Sequence, residues 1–427
     1  MKIKPVKKVS GSITVPPDKS ISHRSIMFGA ISEGKTRISN CLLSADCRST
    51  ISCFRNLGIE IRVHEAANEV IVAGKGLHGL SAPDRILDTG NSGTTTRLIS
   101  GILAGQTFSS VLSGDASLNS RPMKRIITPL SMMGADIHGE NGGFCAPLHI
   151  GPSALHGIRY DSPVASAQVK SCILLAGLYA DSPTQVTEPA VSRDHTERML
   201  TAFGADIAVK DKTVSIAPAP QLTGQDITVP GDISSAAYFI AAGLLLPNDG
   251  IRILNVGINP TRSGILDVCG MMDADIIVEN FSTVSGEPVC DLIVRTSSLK
   301  GCRIGGAVIP KLIDEIPVLA VLACFAEGET VIADAADLKN KETDRIKTTV
   351  ANLKAMGADI EGTDDGMIIT GRGGLHGARL DSFEDHRIAM AMTVAAMAAD
   401  GESMLLHPDC VNISYPDFYA DLNSLIV

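Results

Sequence analysis

Apolar and polar residues alternate along this chain in a unit that recurs. Stretches with apolar spacing of three and four, such as Leu98, Ile99, Ile102 and Leu103, predict helices. One helix stops at Leu57-Gly58-Ile59-Glu60-Ile61. Similar stops return at Met133-Gly134-Ala135-Asp136-Ile137, Phe203-Gly204-Ala205-Asp206-Ile207 and Met356-Gly357-Ala358-Asp359-Ile360. Met272-Asp273-Ala274-Asp275-Ile276 is a further copy that lacks the glycine. After each stop the pattern predicts a strand, a polar turn, a second strand and then a Leu-x-Gly step. The glycines of that step, Gly79, Gly157, Gly224, Gly301 and Gly377, lie 78, 67, 77 and 76 residues apart. A sixth step opens the chain, since Val9–Pro16 parallels Leu222–Pro230. Its upstream helix is the last one, Tyr415–Leu425, so the two chain ends are expected to meet. The pattern therefore predicts an α/β fold of six βαβαββ units, arranged as two lobes of three units each. Residues 1–16 with 231–427 form the first, discontinuous lobe, and residues 17–230 form the second.

Each unit carries two helix starts. The first set lies at Lys19-Ser20, Asn91-Ser92, Ser166, Asp232, Asp314 and Asp385-His386. Serine, asparagine and aspartate are the residues that cap helix N-termini. The second set is predicted at Asp46, Ser120, Ser192, Thr261, Lys341–Arg345 and Ser414, with Arg48, Arg121, Arg193, Arg262 or Arg345 beside five of the six. A helix start exposes unpaired N–H groups and partial positive charge, so several of them together suit an anion. An arginine there opposes the helix dipole and is usually a solvated surface charge. Only some of the five are expected to face a ligand.

Composition narrows the classes. Of 427 residues, 44% are hydrophobic and 20% charged, which suits compact domains and excludes disorder. Lysine and arginine total 37 against 47 acidic residues, a net charge of −10, so a general nucleic-acid binder is not expected. The longest apolar runs, Ala236–Leu246 and Ile316–Ala326, are too short for a bilayer, which needs about 20 residues. Met1-Lys2-Ile3-Lys4 is not followed by an apolar run, so no secretory signal is read. Ten cysteines occur without a Cys-x-x-Cys pair and read as reduced thiols of a cytoplasmic protein. No zinc-ligand spacing, Gly-x-Ser-x-Gly elbow or Gly-x-Gly-x-x-Gly turn is present, and neither metal nor cofactor is expected.

The chemistry concentrates at the helix starts. Asp18-Lys19-Ser20-Ile21-Ser22-His23-Arg24 sets two cations around one start. Asn91-Ser92-Gly93-Thr94-Thr95-Thr96-Arg97 is rich in glycine and hydroxyls but has no Walker lysine. Ser166-Ala167-Gln168-Val169-Lys170 offers neutral donors and a lysine. Asp314-Glu315 interrupts an apolar stretch, and Lys341-Glu342-Thr343-Asp344-Arg345 alternates charges. Cations around a carboxylate suit a division of labour, in which they hold the substrate's anions and the carboxylate moves protons. For the alternating motif, a salt-bridged solvated turn is an equally ordinary reading.

These motifs resemble the 5-enolpyruvylshikimate-3-phosphate synthase family. The resemblance rests on Asp-Lys-Ser-x-Ser-x-Arg at 18–24, Asn-Ser-Gly-Thr at 91–94, Arg-Pro-Met at 121–123 and Ser-Ala-Gln-x-Lys at 166–170. It continues through Arg-Asp-His-Thr-Glu at 193–197, Lys-Glu-Thr-Asp-Arg at 341–345 and Asp-His-Arg at 385–387, across all six units in order. Ser-Ala-Gln-x-Lys, Arg-x-His-x-Glu and Asn259-x-Thr261-Arg262 are similar to the class II bacterial subgroup. The resemblance implies a two-lobed enolpyruvyl transferase fold acting in the shikimate pathway on small molecules, shikimate 3-phosphate and phosphoenolpyruvate. It implies Lys19, Ser20, Arg24, Ser166, Gln168, Arg193, Asp314 and Lys341 around shikimate 3-phosphate. Around phosphoenolpyruvate it implies Lys19, Gly93, Arg121, Gln168, Arg345 and Arg387. Asp314, Glu342 and Lys19 are carried over as catalytic, Asp314 as the base on the 5-hydroxyl and Glu342 as the acid on the methylene carbon. Glyphosate is expected at the phosphoenolpyruvate position, and a monomer is expected.

Two departures stand out. Pro17 occupies a position where the family often has glycine, and Asn412-Ile413-Ser414 has no lysine where another branch of the family places one. The alternatives are the enolpyruvyl transferase of UDP-N-acetylglucosamine and an inactive polyanion-binding relative. The first usually carries a cysteine in the loop matching Ser113–Arg121, where this chain has none. The second has no use for both Asp314 and Glu342.

Overall fold

The structure is a computed structural model that describes residues 1–140, 142–219 and 221–427. The chain divides into two compact units, Met1–Pro16 with Pro230–Val427, and Pro17–Val229. Among the described residues, each unit holds three sheets and an apolar core of its own.

Three sheets are built by one rule. A first strand runs parallel to a second across a helix, and two further strands add as an antiparallel hairpin. In Pro17–Val229 this gives Leu87–Asp88 beside Ser110–Ser113, Cys145–Gly151 and Asp136–Glu140. The neighbouring sheet runs Arg159–Asp161, Thr184–Thr187, Thr213–Ile216, Ile207–Lys210. In the other unit, Arg303–Ile304, Gly328–Ile332, Met367–Gly371 and Asp359–Gly362 repeat the order.

Two sheets break the rule by exchanging their first strands. Ser12–Thr14 precedes the helix Lys19–Ala30 in the chain yet pairs in parallel with Ile251–Gly257. Asp226–Thr228 precedes the helix Ile233–Leu245 yet pairs in parallel with Glu33–Ser39. The sixth sheet closes between the ends of the chain. Lys2–Ile3 runs antiparallel to Ser403–Leu406, and Val9 bridges Ile426.

The crossover helices are the inner ones. Gly93–Leu103, Ala167–Gly177, Ile233–Leu245 and His386–Ala398 are buried on nearly every side. Ile233–Leu245 is apolar almost all round, and in Gly93–Leu103 the buried Thr96 and Ser100 hydroxyls are satisfied by the carbonyls of Ser92 and Thr96, so these helices can sit inside. Gly101 permits a close approach of two helices, because a Cβ there would clash with the carbonyl oxygen of Cys172 on the neighbouring helix. Asp18, Ser92, Asp232 and Asp385 cap their helices by accepting N–H bonds from Ile21, Thr95, Ser234 and Arg387.

Several predicted starts move. The outer helices begin at Lys124, His195, Gly264 and Phe418, not at Ser120, Ser192, Thr261 and Ser414. Arg121 and Tyr415 each precede a proline, which disfavours helical backbone, and Arg121 is extended at φ −76°, ψ 138°. Thr261 sits in a turn closed by the Asn259 side chain at 2.9 Å. The helix after Asp314 starts at Ile316-Pro317, with Glu315 at its cap position, so Asp314 lies just outside it.

Candidate active site

In the unit Pro17–Val229, the helix Lys19–Ala30 places Lys19, Ser20 and Arg24 on its first turns. Lys19 Nζ is 3.0 Å from Asp46 Oδ2. Arg24 is buried, and three neutral partners orient its guanidinium: Thr196 Oγ1 at 2.7 Å, Ser171 Oγ at 2.9 Å and the Ser20 carbonyl at 3.0 Å. Between Lys19 and Arg24 lies His23. Its Nδ1 is 2.7 Å from Thr50 Oγ1, which meets Thr95 Oγ1 at 2.7 Å, which donates to Ser92 Oγ at 2.8 Å. Burial pushes the His23 pKa well down, helped by Lys19 and Arg24, so the imidazole is neutral. This hydroxyl chain links the Lys19 helix to the start of the Gly93 helix.

At that second start, Arg97 donates to Gln168 Oε1, and the Gln168 amide donates to Thr94 Oγ1 at 3.0 Å. Arg121 is buried and donates to Asn91 Oδ1 at 2.5 Å and Ser117 Oγ at 3.2 Å. Gly93 lies against both guanidiniums. A Cβ on it would be 2.9 Å from Arg97 Nη1 and 3.7 Å from Arg121 Nη1. The third start behaves differently from an open helix N-terminus, because the Ser166 N–H is already given to Glu188 at 3.0 Å. Ser166 and Gln168 therefore offer side chains there.

In the other unit, one guanidinium gathers the carboxylates. Arg345 is buried, with Nη1 3.3 Å from Asp314 Oδ1 and Nη2 2.5 Å from Glu342 Oε2. Its Nε and Nη2 meet the two oxygens of Asp385 at 2.8 and 3.1 Å. Lys341 Nζ lies 3.2 Å from Asp314 Oδ1. Asp385 also accepts the Arg387 N–H, and Arg387 Nη1 donates to the Ser234 carbonyl at 3.1 Å. Burial alone would lower the pKa of Arg345, but Asp385, Glu342 and Asp314 hold it well above its ordinary value. Arg387 is likewise raised against burial, by Tyr238, Asp314, Glu315 and Asp232. Both stay charged. Asp314 and Glu342 thus face fixed cations while remaining only partly buried, with 17% and 22% of their side chains exposed. That geometry suits two carboxylates that exchange protons beside bound anions.

A model of the EPSP synthase family (3-phosphoshikimate 1-carboxyvinyltransferase) matches residues 3–422. The chain belongs to the EPSP synthase family. Similar curated proteins named 3-phosphoshikimate 1-carboxyvinyltransferase include one from Thermoanaerobacter sp. (strain X514), 53% identical over 425 residues and covering 100% of both chains. Another, from Bacillus cereus (strain AH187), is 54% identical over 424 residues, covering 99% of this chain and 98% of the relative. Among solved structures, EPSP synthase from Acinetobacter baumannii superposes with a TM-score of 0.88 at 44% identity, covering 100% of this chain and 98% of that one. The enolpyruvyl transferase NikO from Streptomyces tendae shares the fold, with a TM-score of 0.80 at 20% identity over 99% of this chain and 96% of that one.

With the family in hand, the arginines of the second helix set sort themselves. Arg121 and Arg345 are buried in the two clusters above, and Arg193 stands half-buried in the turn before His195–Ala202. Arg48 instead pairs with Glu65 on the surface at 2.7 Å. Arg262 is spent on a buried network with Asp232 at 3.1 Å, Glu315 at 3.4 Å and Ser234. Three participants were missed by sequence reasoning. Arg97 is one turn past Gly93 and ends a motif that was legible. Asp385 was visible as a cap but not as the anchor of Arg345. Glu188 left no signal at all. Among the described residues there is no group of three or more His, Cys, Asp or Glu that could hold a metal ion, and no helix long and apolar enough to cross a membrane.

Proposed function

We propose that Asp314 and Glu342 carry the proton transfers of the family's reaction, in which the enolpyruvyl group of phosphoenolpyruvate passes to the 5-hydroxyl of shikimate 3-phosphate and phosphate is released on the way to chorismate. The observation that carries this reading is Arg345 bridging Asp314 and Glu342, with Lys341 on the same Asp314 oxygen. The 5-oxygen attacks C2 of the enol while Asp314 takes the hydroxyl proton. Glu342 gives a proton to C3, which becomes a methyl group. The tetrahedral intermediate then expels phosphate from C2 as Glu342 takes a proton back from C3, restoring the double bond.

The cations supply the electrostatics. Lys19, Ser20, Arg24, Ser166, Gln168, Arg193 and Lys341 are assigned to shikimate 3-phosphate. Lys19, Gly93, Arg121, Gln168, Arg345 and Arg387 are assigned to phosphoenolpyruvate and to the charge of the intermediate. Buried guanidiniums held by fixed partners need no reorganisation when that charge develops. The reading includes a cytoplasmic setting, supported by ten free cysteines. The test is phosphate release from phosphoenolpyruvate, which is expected with shikimate 3-phosphate and absent with UDP-N-acetylglucosamine. Release that ignores shikimate 3-phosphate overturns the assignment.

A further inference from the structure

A buried ionic cluster lies behind the shikimate 3-phosphate residues of the unit Pro17–Val229. Lys170 Nζ is 2.9 Å from Glu188 Oε2 and 2.7 Å from Glu197 Oε1, and the three side chains are 2%, 3% and 5% exposed. Burial works against the Lys170 ammonium, yet Glu197 and Glu188 raise its pKa. Two buried carboxylates behind a site for a dianion oppose binding by charge alone, so what they contribute there is geometric.

The contacts of Glu188 give that geometry. Its Oε1 accepts the Ser166 N–H at 3.0 Å, at the cap of the helix Ala167–Gly177. Its Oε2 accepts the Ser192 hydroxyl at 2.9 Å and the Ser192 N–H at 3.3 Å, next to Arg193. Lys170 adds a bond to the Ser192 carbonyl at 3.4 Å. The residues that follow Lys170 and precede Glu197 are Ser171 and Thr196, the pair that orients Arg24. One carboxylate therefore ties two segments together: the helix that presents Ser166, Gln168 and Ser171, and the Ser192–Thr196 stretch that presents Arg193 and Thr196.

We propose that Glu188 is a positioning residue for shikimate 3-phosphate, fixing the Ser166 start and the Ser192–Arg193 turn in mutual register while Lys170 neutralises it. This rests on the reading of the site given above. A misplaced binding group weakens ground-state and transition-state binding together, so the loss falls on KM and not on kcat.

The experiment is steady-state kinetics on Glu188→Gln. Glutamine keeps the volume but has one acceptor oxygen where two serve four donors. The KM for shikimate 3-phosphate is expected to rise about tenfold or more, with kcat within about threefold and the KM for phosphoenolpyruvate, which shares Gln168, rising less than that for shikimate 3-phosphate. Ile173→Val, on the same helix and fully buried, is the control for lost stability alone. It is expected to leave all three constants in place. If Glu188→Gln does not fold, Ser192→Ala removes only the hydroxyl arm and is expected to raise the same KM by about threefold. An unchanged KM in whichever variant folds overturns the proposal, as does a KM change that Ile173→Val reproduces. Wild-type enzyme that ignores shikimate 3-phosphate overturns the site reading instead, which separates the two failures.

Discussion

Asp314→Asn keeps the shape of the side chain and its place beside Arg345 and Lys341, but an amide accepts no proton from a hydroxyl. Removal of a general base costs about 10²–10⁴ in rate. Turnover is expected to fall by that factor, with affinity for shikimate 3-phosphate, read by equilibrium titration, within a few fold. Gly93→Ala acts through its neighbours. The new methyl meets Arg97 Nη1 at 2.9 Å, and Arg97 holds Gln168, so the guanidinium has to move and the amide with it. The KM for phosphoenolpyruvate is expected to rise several-fold. The inhibition constant for glyphosate, the longer ligand by the resemblance, is expected to rise further, as competition curves at fixed shikimate 3-phosphate will show. His23 sets a pH limit on the fold. Its folded pKa lies well below the 6.5 of an unfolded histidine. Below that value the unfolded chain binds the extra proton first, so stability is full above it and falls as pH drops. One such group contributes a slope of at most about 1.4 kcal/mol per pH unit. His23→Asn is expected to flatten the acid side of a plot of unfolding free energy against pH by up to that slope, and an unchanged slope removes His23 from the account.

Helices show where sequence reading succeeds and where it stops. The inner helices were legible because apolar spacing and a capping residue coincide, as at Asp18, Ser92, Asp232 and Asp385. Starts at Ser120, Ser192 and Ser414 were misplaced because a serine before a helical pattern resembles a cap, while a nearby proline or a carboxylate that claims the serine decides otherwise. Ser192 is that second case, since its hydroxyl serves Glu188. Long-range polar partners carry no local pattern, and so Glu188 and the Arg345–Asp385 bond were invisible in the sequence. The motif residues themselves were readable, but only their resemblance to a family turned charges at helix starts into a proton-transfer site. Asp385 belongs to this scale because it caps one inner helix and anchors the first arginine of an outer one. Asp385→Ala strips both from a fully buried site, and breaking a buried pair costs about 3–5 kcal/mol. The expected result is a lower denaturant midpoint with an unchanged slope. A loss below about 1 kcal/mol would show that Arg345 is held by its other carboxylates.

At the scale of the molecule, the sheet order assigns the strand 12–14 to partners at 252–254 and the strand 226–228 to partners at 37–39. Synthesis delivers these pairs in a fixed sequence. A growing chain cannot complete the sheet containing 33–39 until residue 228 has left the ribosome, although every other strand of that sheet was made long before. Strand 12–14 waits longer still, and strand 2–3 waits until 403–406 emerges. Pairing across such separations is slow and leaves edges open meanwhile. The middle of the chain should therefore become protease-resistant before its own beginning. Arrested nascent chains cut with a protease will show this. Protection of 17–229 is expected once that segment clears the exit tunnel, while residues 12–14 stay cleavable until 251–257 appears and residues 2–3 until 403–406 appears. Early protection of both would mean that the leading strands find temporary partners during synthesis.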